Sequence, residues 1–198
     1  MANLKEIRTR ITSVESTMQI TSAMKMVSAA KLKRAQDAIV QMRPFAKKFN
    51  DILVNVSSTL DNSDHPMMKS NKGNKILLIA LSSNRGLCGG FNNNIVKEIK
   101  KTISSNPENN YSILTLGKKV FDAFKKTDLI NNSDHLPKDV QSIWDSLNYE
   151  NSIEITNKLI SAFKNNQFDK AFIIYNSFKN AAIQSTQNEP FLPVSPPH

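Results

Sequence analysis

The residues best placed to do chemistry are Asn84-Arg85-Gly86-Leu87-Cys88-Gly89-Gly90-Phe91, a glycine-dense turn set between an apolar run and a helical stripe. A glycine loop joining a strand to a helix can cradle phosphate, because backbone N–H groups and the helix dipole converge there. The spacing here is G-x-x-G-G, which matches neither G-x-G-x-x-G nor G-x-x-x-x-G-K-[ST]. No lysine follows Gly90 before Lys97, and no magnesium-binding hydroxyl is in place. Gly86, Gly89 and Gly90 are more economically read as backbone positions needing positive φ or close packing. Cys88, the single cysteine, has no histidine near it in sequence and reads as a small buried thiol. His65, His135 and His198 form no ligand pattern with it. With no paired carboxylates and no triad elsewhere, no catalytic residue, cofactor site or metal ligand is expected.

The elements around the turn come in a regular order. Lys75–Leu81 (KILLIAL) is a short apolar run, the mark of a strand buried on both faces, and Ile95, Val96, Ile99 and Ile103 form a helical stripe after the turn. Tyr111–Leu116 predicts a second strand and Lys118–Lys126 a helix. Val140, Ile143, Trp144 and Leu147 give another helical stripe, followed by Ile153, Leu159, Ile160 and Phe163. Ala171–Tyr175 reads as a later strand, with Ala182–Gln187 beside it. Alternating strands and helices predict a doubly wound, mainly parallel α/β domain over 75–188. Residues 59–74, rich in Asn, Asp and Ser, predict a linker loop. Residues 189–198, with four prolines, predict an extended tail that adds no element.

Ahead of the linker lies a different kind of sequence. Ala2–Arg43 contains no Gly and no Pro, so one helix can run its whole length, roughly 60 Å. Phe45, Phe49, Ile52, Leu53 and Val56 carry the apolar spacing past Pro44, which extends the predicted helix over 1–58 with at most a kink. Leu4, Ile7, Ile11, Val14 and Met18 have the 3-4-3-4 spacing of a coiled-coil seam. Around Ile20 the phase slips, and Thr21, Ser22, Ala23, Ser28, Ala29 and Ala30 make a thin, smooth surface. An ordinary amphipathic bundle helix is the plain alternative, and length and the changing phase argue against it.

Charge is concentrated in the same region. Residues 1–50 hold ten basic side chains against Glu6, Glu15 and Asp37, which is +7 of the chain's +9. Such a helix suits a nucleic-acid backbone, a solvated face, or an acidic protein collar. No aromatic residue precedes Phe45 to stack on bases. The pattern alone leaves the three open. One cysteine excludes a disulfide within the chain, and no stretch has the length of a membrane span.

Two stretches together resemble a known family. NLKEIRTRITSVESTMQITSAMKMVSAAKLKRAQ, continuing to Arg43-Pro44-Phe45, is similar to the N-terminal helix of the gamma subunit of the F-type ATP synthase. Arg85, Gly86, Leu87, Cys88, Gly89, Gly90, Phe91 and Asn92 resemble that family's R-G-L-C-G-G-[LF]-N turn. The resemblance implies a non-catalytic central-stalk rotor subunit without cofactor. Its helix would stand as a shaft inside a ring of alpha and beta subunits, and its α/β domain, the foot, would meet the epsilon subunit and the ring of c subunits at the membrane. It further implies coupling of proton-driven rotation to the beta subunits' catalytic sites, at the cytoplasmic face of the bacterial inner membrane. Met24, Lys25, Lys31, Lys33 and Arg34 match positions near the beta-subunit lever and are the expected coupling residues. The family continues past the position matched by Val194 into a C-terminal helix that completes the shaft. With that helix absent, the expectation is self-association through residues 1–58, or a mobile or repacked helix. A basic helical nucleic-acid binder, and a small nucleotide-binding α/β protein built on Gly86–Gly90, are the alternatives from other classes.

Overall fold

The computed structural model describes residues 3–57, 66–68, 71–130, 134–138, 140–180 and 183–194. His65, His198, most of the predicted linker and the end of the predicted tail lie outside them. The chain divides into two units, Met1–Thr59 and Leu60–His198.

The first unit is one helix, α1, Leu4–Ser57. At 54 residues it is about 81 Å long. Asn3 starts it, its side-chain oxygen accepting from the Lys5 N–H at 3.3 Å. Glu6–Arg10 and Lys33–Asp37 ion pairs, each four residues apart, tie successive turns at 2.8 and 3.3 Å. Pro44 has no N–H to offer its turn, yet the helix continues through it, and the Phe45 and Phe49 rings meet at a tilt, with centroids 4.7 Å apart, just beyond. Every described side chain from Asn3 to Leu53 is exposed.

The second unit is built on a four-stranded sheet of order β2-β1-β3-β4. β1 (Lys75–Leu81) lies between β2 (Asn110–Leu116) and β3 (Lys170–Phe178), parallel to both. In register, Ile79 faces Leu114 on one side and Ile173 on the other. β4 (Gln184–Leu192) runs antiparallel on the β3 edge. Alternation along the central strands feeds two cores. Ile76, Leu78 and Ala80 pack with α2 (Phe91–Ser105) and α3 (Lys118–Phe124) through Ile95, Ile99, Val120 and Phe124. Leu77 and Ile79 pack on the other face with α4 (Tyr149–Lys164) and the short 3-10 helix Val140–Trp144, through Leu159, Phe163 and Ile143. This is the expected doubly wound α/β fold, with a mixed sheet. Burying Leu77 and Leu78 completely contributes about 1.5–3 kcal/mol each.

Two local expectations are corrected. The tail contributes to the sheet: Glu189, Pro190 and Leu192 pair with Ile173, Phe172 and Ala171, and Leu192 is buried in the core. Proline is tolerated there because an edge strand has N–H positions with no ladder to feed. The stripe Val140–Leu147 is not one helix. The 3-10 turn ends at Trp144, Leu147 is exposed, and Asn148 caps α4 by accepting from the Asn151 N–H at 2.8 Å. The described part of the linker also packs, since Met67 lies against the Leu77 core and its carbonyl accepts from the Val194 N–H at 2.8 Å.

Candidate functional site

The glycine turn leaves β1 at its carboxyl end. Ser82, buried, donates its N–H to the Leu116 carbonyl at 2.8 Å, and its hydroxyl oxygen accepts from the Val120 N–H at 3.3 Å. Gly117 reaches the same spot with φ +125°, where a Cβ would come within 2.1 Å of the Ser82 carbonyl oxygen. That approach demands glycine. Asn84 spans the turn: its side-chain oxygen accepts from the Lys118 N–H at 3.0 Å, and its amide donates to the Gln141 carbonyl at 2.9 Å.

Asn92, in the first turn of α2, closes the loop. Its side-chain oxygen accepts from the Ser83 N–H at 3.0 Å, and its amide nitrogen lies 2.9 Å from Ser83 Oγ and 3.0 Å from Cys88 Sγ. Ser83 Oγ donates in turn to the Arg85 carbonyl at 2.6 Å. These side-chain hydrogen bonds serve the loop's own backbone and its neighbours in the sheet. At the tip Leu87 takes φ +60° and Gly89 φ +59°, and Leu87 is fully exposed.

Two expectations at the turn are corrected. Positive φ holds for Gly89 but not for Gly86 or Gly90; a Cβ on Gly90 would come within 3.3 Å of Asn94 Oδ1, a tight approach, whereas one on Gly86 would meet only the Lys119 side chain, at 3.5 Å, an ordinary contact. Cys88 is exposed. The turn stands outside both cores, so the usual tendency of a free thiol to be buried has nothing to act on.

The other sequence-derived site residues lie on α1. Leu4, Ile7, Ile11, Val14 and Met18 are exposed along one seam, and Met24, Lys25, Lys31, Lys33 and Arg34 are exposed further along, with Lys33 paired to Asp37. The two groups, α1 residues and turn residues, belong to different units. Sequence reasoning placed Asn84 in the turn but missed its bridging role, and it missed the contacts of Ser82 and Gly117, because all of these depend on partners distant in the chain. Among the described residues, no group of three or more His, Cys, Asp or Glu could hold a metal ion, and no helix is long and apolar enough to cross a membrane.

The family model for ATP synthase matches residues 3–198. The chain is 48% identical to the ATP synthase gamma chain of Flavobacterium psychrophilum over 99% of its own length and 67% of that relative's. The chain belongs to the ATP synthase gamma-chain family. The gamma chain of Geotalea uraniireducens, 40% identical, is matched over the same shares. The central stalk of the Tetrahymena thermophila mitochondrial ATP synthase, with its c-ring, is similar in structure, with a TM-score of 0.55 and 26% identity over 88% of this chain and 72% of that one. This member is therefore a non-catalytic rotor-stalk subunit, peripheral to a membrane-associated complex. Family membership supports the rotor-stalk reading over the two alternatives raised by the charge and the glycine turn.

Proposed function

We propose that α1 is the working surface of the rotor and the sheet unit its foot, joined by the segment around residues 59–74. In this reading the helix stands within a ring of alpha and beta subunits. The foot is turned by a ring of c subunits and contacts the epsilon subunit, at the cytoplasmic face of the bacterial inner membrane. The observation that carries it is α1 itself: 54 residues without a break, exposed from Asn3 to Leu53, and with ten basic against four acidic side chains contributing +6 of the chain's net +9. A helix of that length and charge suits a cavity walled by acidic protein better than a core.

The mechanism needs no bond-making by this chain. Each angular position of an asymmetric helix favours one conformation of a catalytic subunit over the others, so rotation becomes a sequence of population shifts. Met24, Lys25, Lys31, Lys33 and Arg34 are the coupling residues in this reading. Met24 offers a polarizable, adaptable contact to successive non-equivalent neighbours, and the four cations supply attraction to an acidic lever. Arg85–Asn92 holds the β1–α2 junction in shape and binds no cofactor.

The test is copurification with the alpha, beta, epsilon and c subunits of the same cell, followed by ATP-driven rotation of the assembled complex. Stoichiometric capture of alpha and beta is expected, with K25E/K31E lowering coupled turnover while leaving assembly intact. Failure to recover alpha and beta at any salt concentration overturns the assignment.

A further inference from the structure

The segment ahead of β1 is fastened to the amino ends of the strands on both sides of it. Asn74 reaches β2: its carbonyl accepts from the Asn110 N–H at 2.9 Å, and its side-chain amide donates to the Glu108 carbonyl at 3.2 Å. Asp169, the residue before β3, closes a reciprocal pair on the first residue of β1. Its carboxylate accepts from the Lys75 N–H at 3.0 Å, and its own N–H donates to the Lys75 carbonyl at 2.8 Å. Further back, the Asn71 amide donates to the side-chain oxygen of Asn166 at 3.4 Å, and Met67 is held by Val194 and the Leu77 core. Residues 66–68 and 71–74 are thus tied to the ends of β2, β3, β4 and α4.

Gly73 is shaped to this anchor. A Cβ there would overlap the Asp169 carboxylate, and the φ of Gly73 is not positive, so alanine would violate space and not backbone conformation. The overlapped atoms belong to a side chain, so Gly73→Ala would turn the carboxylate away from the Lys75 N–H. A carboxylate accepting from a backbone N–H makes a charge-assisted bond, stronger than its neutral counterpart. A pull entering at the end of one parallel strand would otherwise be borne by that strand's own ladder. The Asn74 and Asp169 bonds spread it at once to the strands on both sides of β1.

We infer that residues 66–68 and 71–74 act as a strap belonging to the foot, with Asp169 as the positioning residue that fastens it. A load reaching the foot from the α1 side is then taken up across β2, β1 and β3 together. The use made of the strap rests on the rotor reading above; its attachment does not, and the two are tested apart.

The attachment is tested by amide hydrogen exchange on the whole chain, read at Lys75, with Leu77–Leu81 as the folding control. Protection at Lys75 is expected in the parent, falling at least about tenfold in Asp169→Ala and in Gly73→Ala. Asp169→Asn, whose amide oxygen still accepts, should stay within about threefold of the parent. Because both alanine variants break the same bond, Gly73→Ala in the Asp169→Ala background should add less than about twofold. An unprotected Lys75 in the parent overturns the strap, as does an Asp169→Ala chain that exchanges like the parent. Additive single effects, or protection lost equally over Leu77–Leu81, overturn it as well. The load is tested in the assembled complex, where Asp169→Ala should lower the protons moved per ATP hydrolysed at least about twofold and Asp169→Asn should not. Equal coupling in the parent and Asp169→Ala overturns the load-bearing role. A parent chain that fails to join alpha and beta overturns the rotor reading instead, and the exchange pattern still decides the strap.

Discussion

The side-chain amide nitrogen of Asn92 lies 3.0 Å from the sulfur of Cys88, so a residue in the first turn of α2 holds the far side of the loop that precedes it. The same side chain also meets Ser83 through both its oxygen and its nitrogen. Asn92→Ala removes these contacts, together with the amide's 3.4 Å approach to the Arg85 carbonyl, and leaves the Ser83 N–H without its acceptor. The expected loss is about 1–3 kcal/mol in urea unfolding of the sheet unit. Asn92→Asp should recover part of it by accepting from Ser83 again.

Gly117 and Gly86 should behave oppositely. A Cβ at Gly117 meets the Ser82 carbonyl at 2.1 Å and must also adopt φ +125°, so Gly117→Ala should destabilise by at least about 2 kcal/mol. Gly86→Ala should fall within about 0.5 kcal/mol of the parent, since its Cβ meets only the end of a flexible lysine. Equal midpoints for the two variants in thermal unfolding would contradict this account of the turn.

Cys88 should react in the native state. An exposed thiol on a loop outside both cores is open to a maleimide or a disulfide reagent without unfolding. Stoichiometric labelling in native buffer is expected, with Cys88→Ser leaving stability within about 0.5 kcal/mol. Labelling that appears only in denaturant would return the thiol to the interior.

Tyr175 adds a pH-dependent contribution to stability in the alkaline range. Partial burial and its donation to a Glu189 carboxylate oxygen at 3.0 Å raise its pKa above the usual 10.0. Folding therefore favours the protonated phenol. That contribution is complete below pH 10 and is lost as pH rises from 10 through the folded value, because there the native state holds a proton that the unfolded state has released. Ultraviolet titration should show a tyrosine component ionising above pH 10, and Tyr175→Phe should remove it.

Much of this architecture was legible because apolar runs and stripes report burial directly. KILLIAL gave β1 to the residue, and the spacing Ile95–Ile99 gave the inward face of α2. The absence of Gly and Pro before Pro44 gave α1. Proline content misled at Glu189–Leu192, where an edge position suspends the usual objection to proline in a sheet. Residue-type tendencies misled at Cys88, because burial is a property of place. The bridge made by Asn84 left no trace in local pattern, since its partners Lys118 and Gln141 lie 34 and 57 residues away.

Along α1, the hydroxyls of Thr9, Thr12, Thr17 and Thr21 each donate to the carbonyl one turn back, at 2.8–3.1 Å. With those oxygens turned toward their own backbone, it is the threonine methyl that each residue presents outward. In the proposed rotor reading, a polar sequence is thereby finished as a greasy bearing that would offer a passing neighbour dispersion contacts and few bonds to break before the next step.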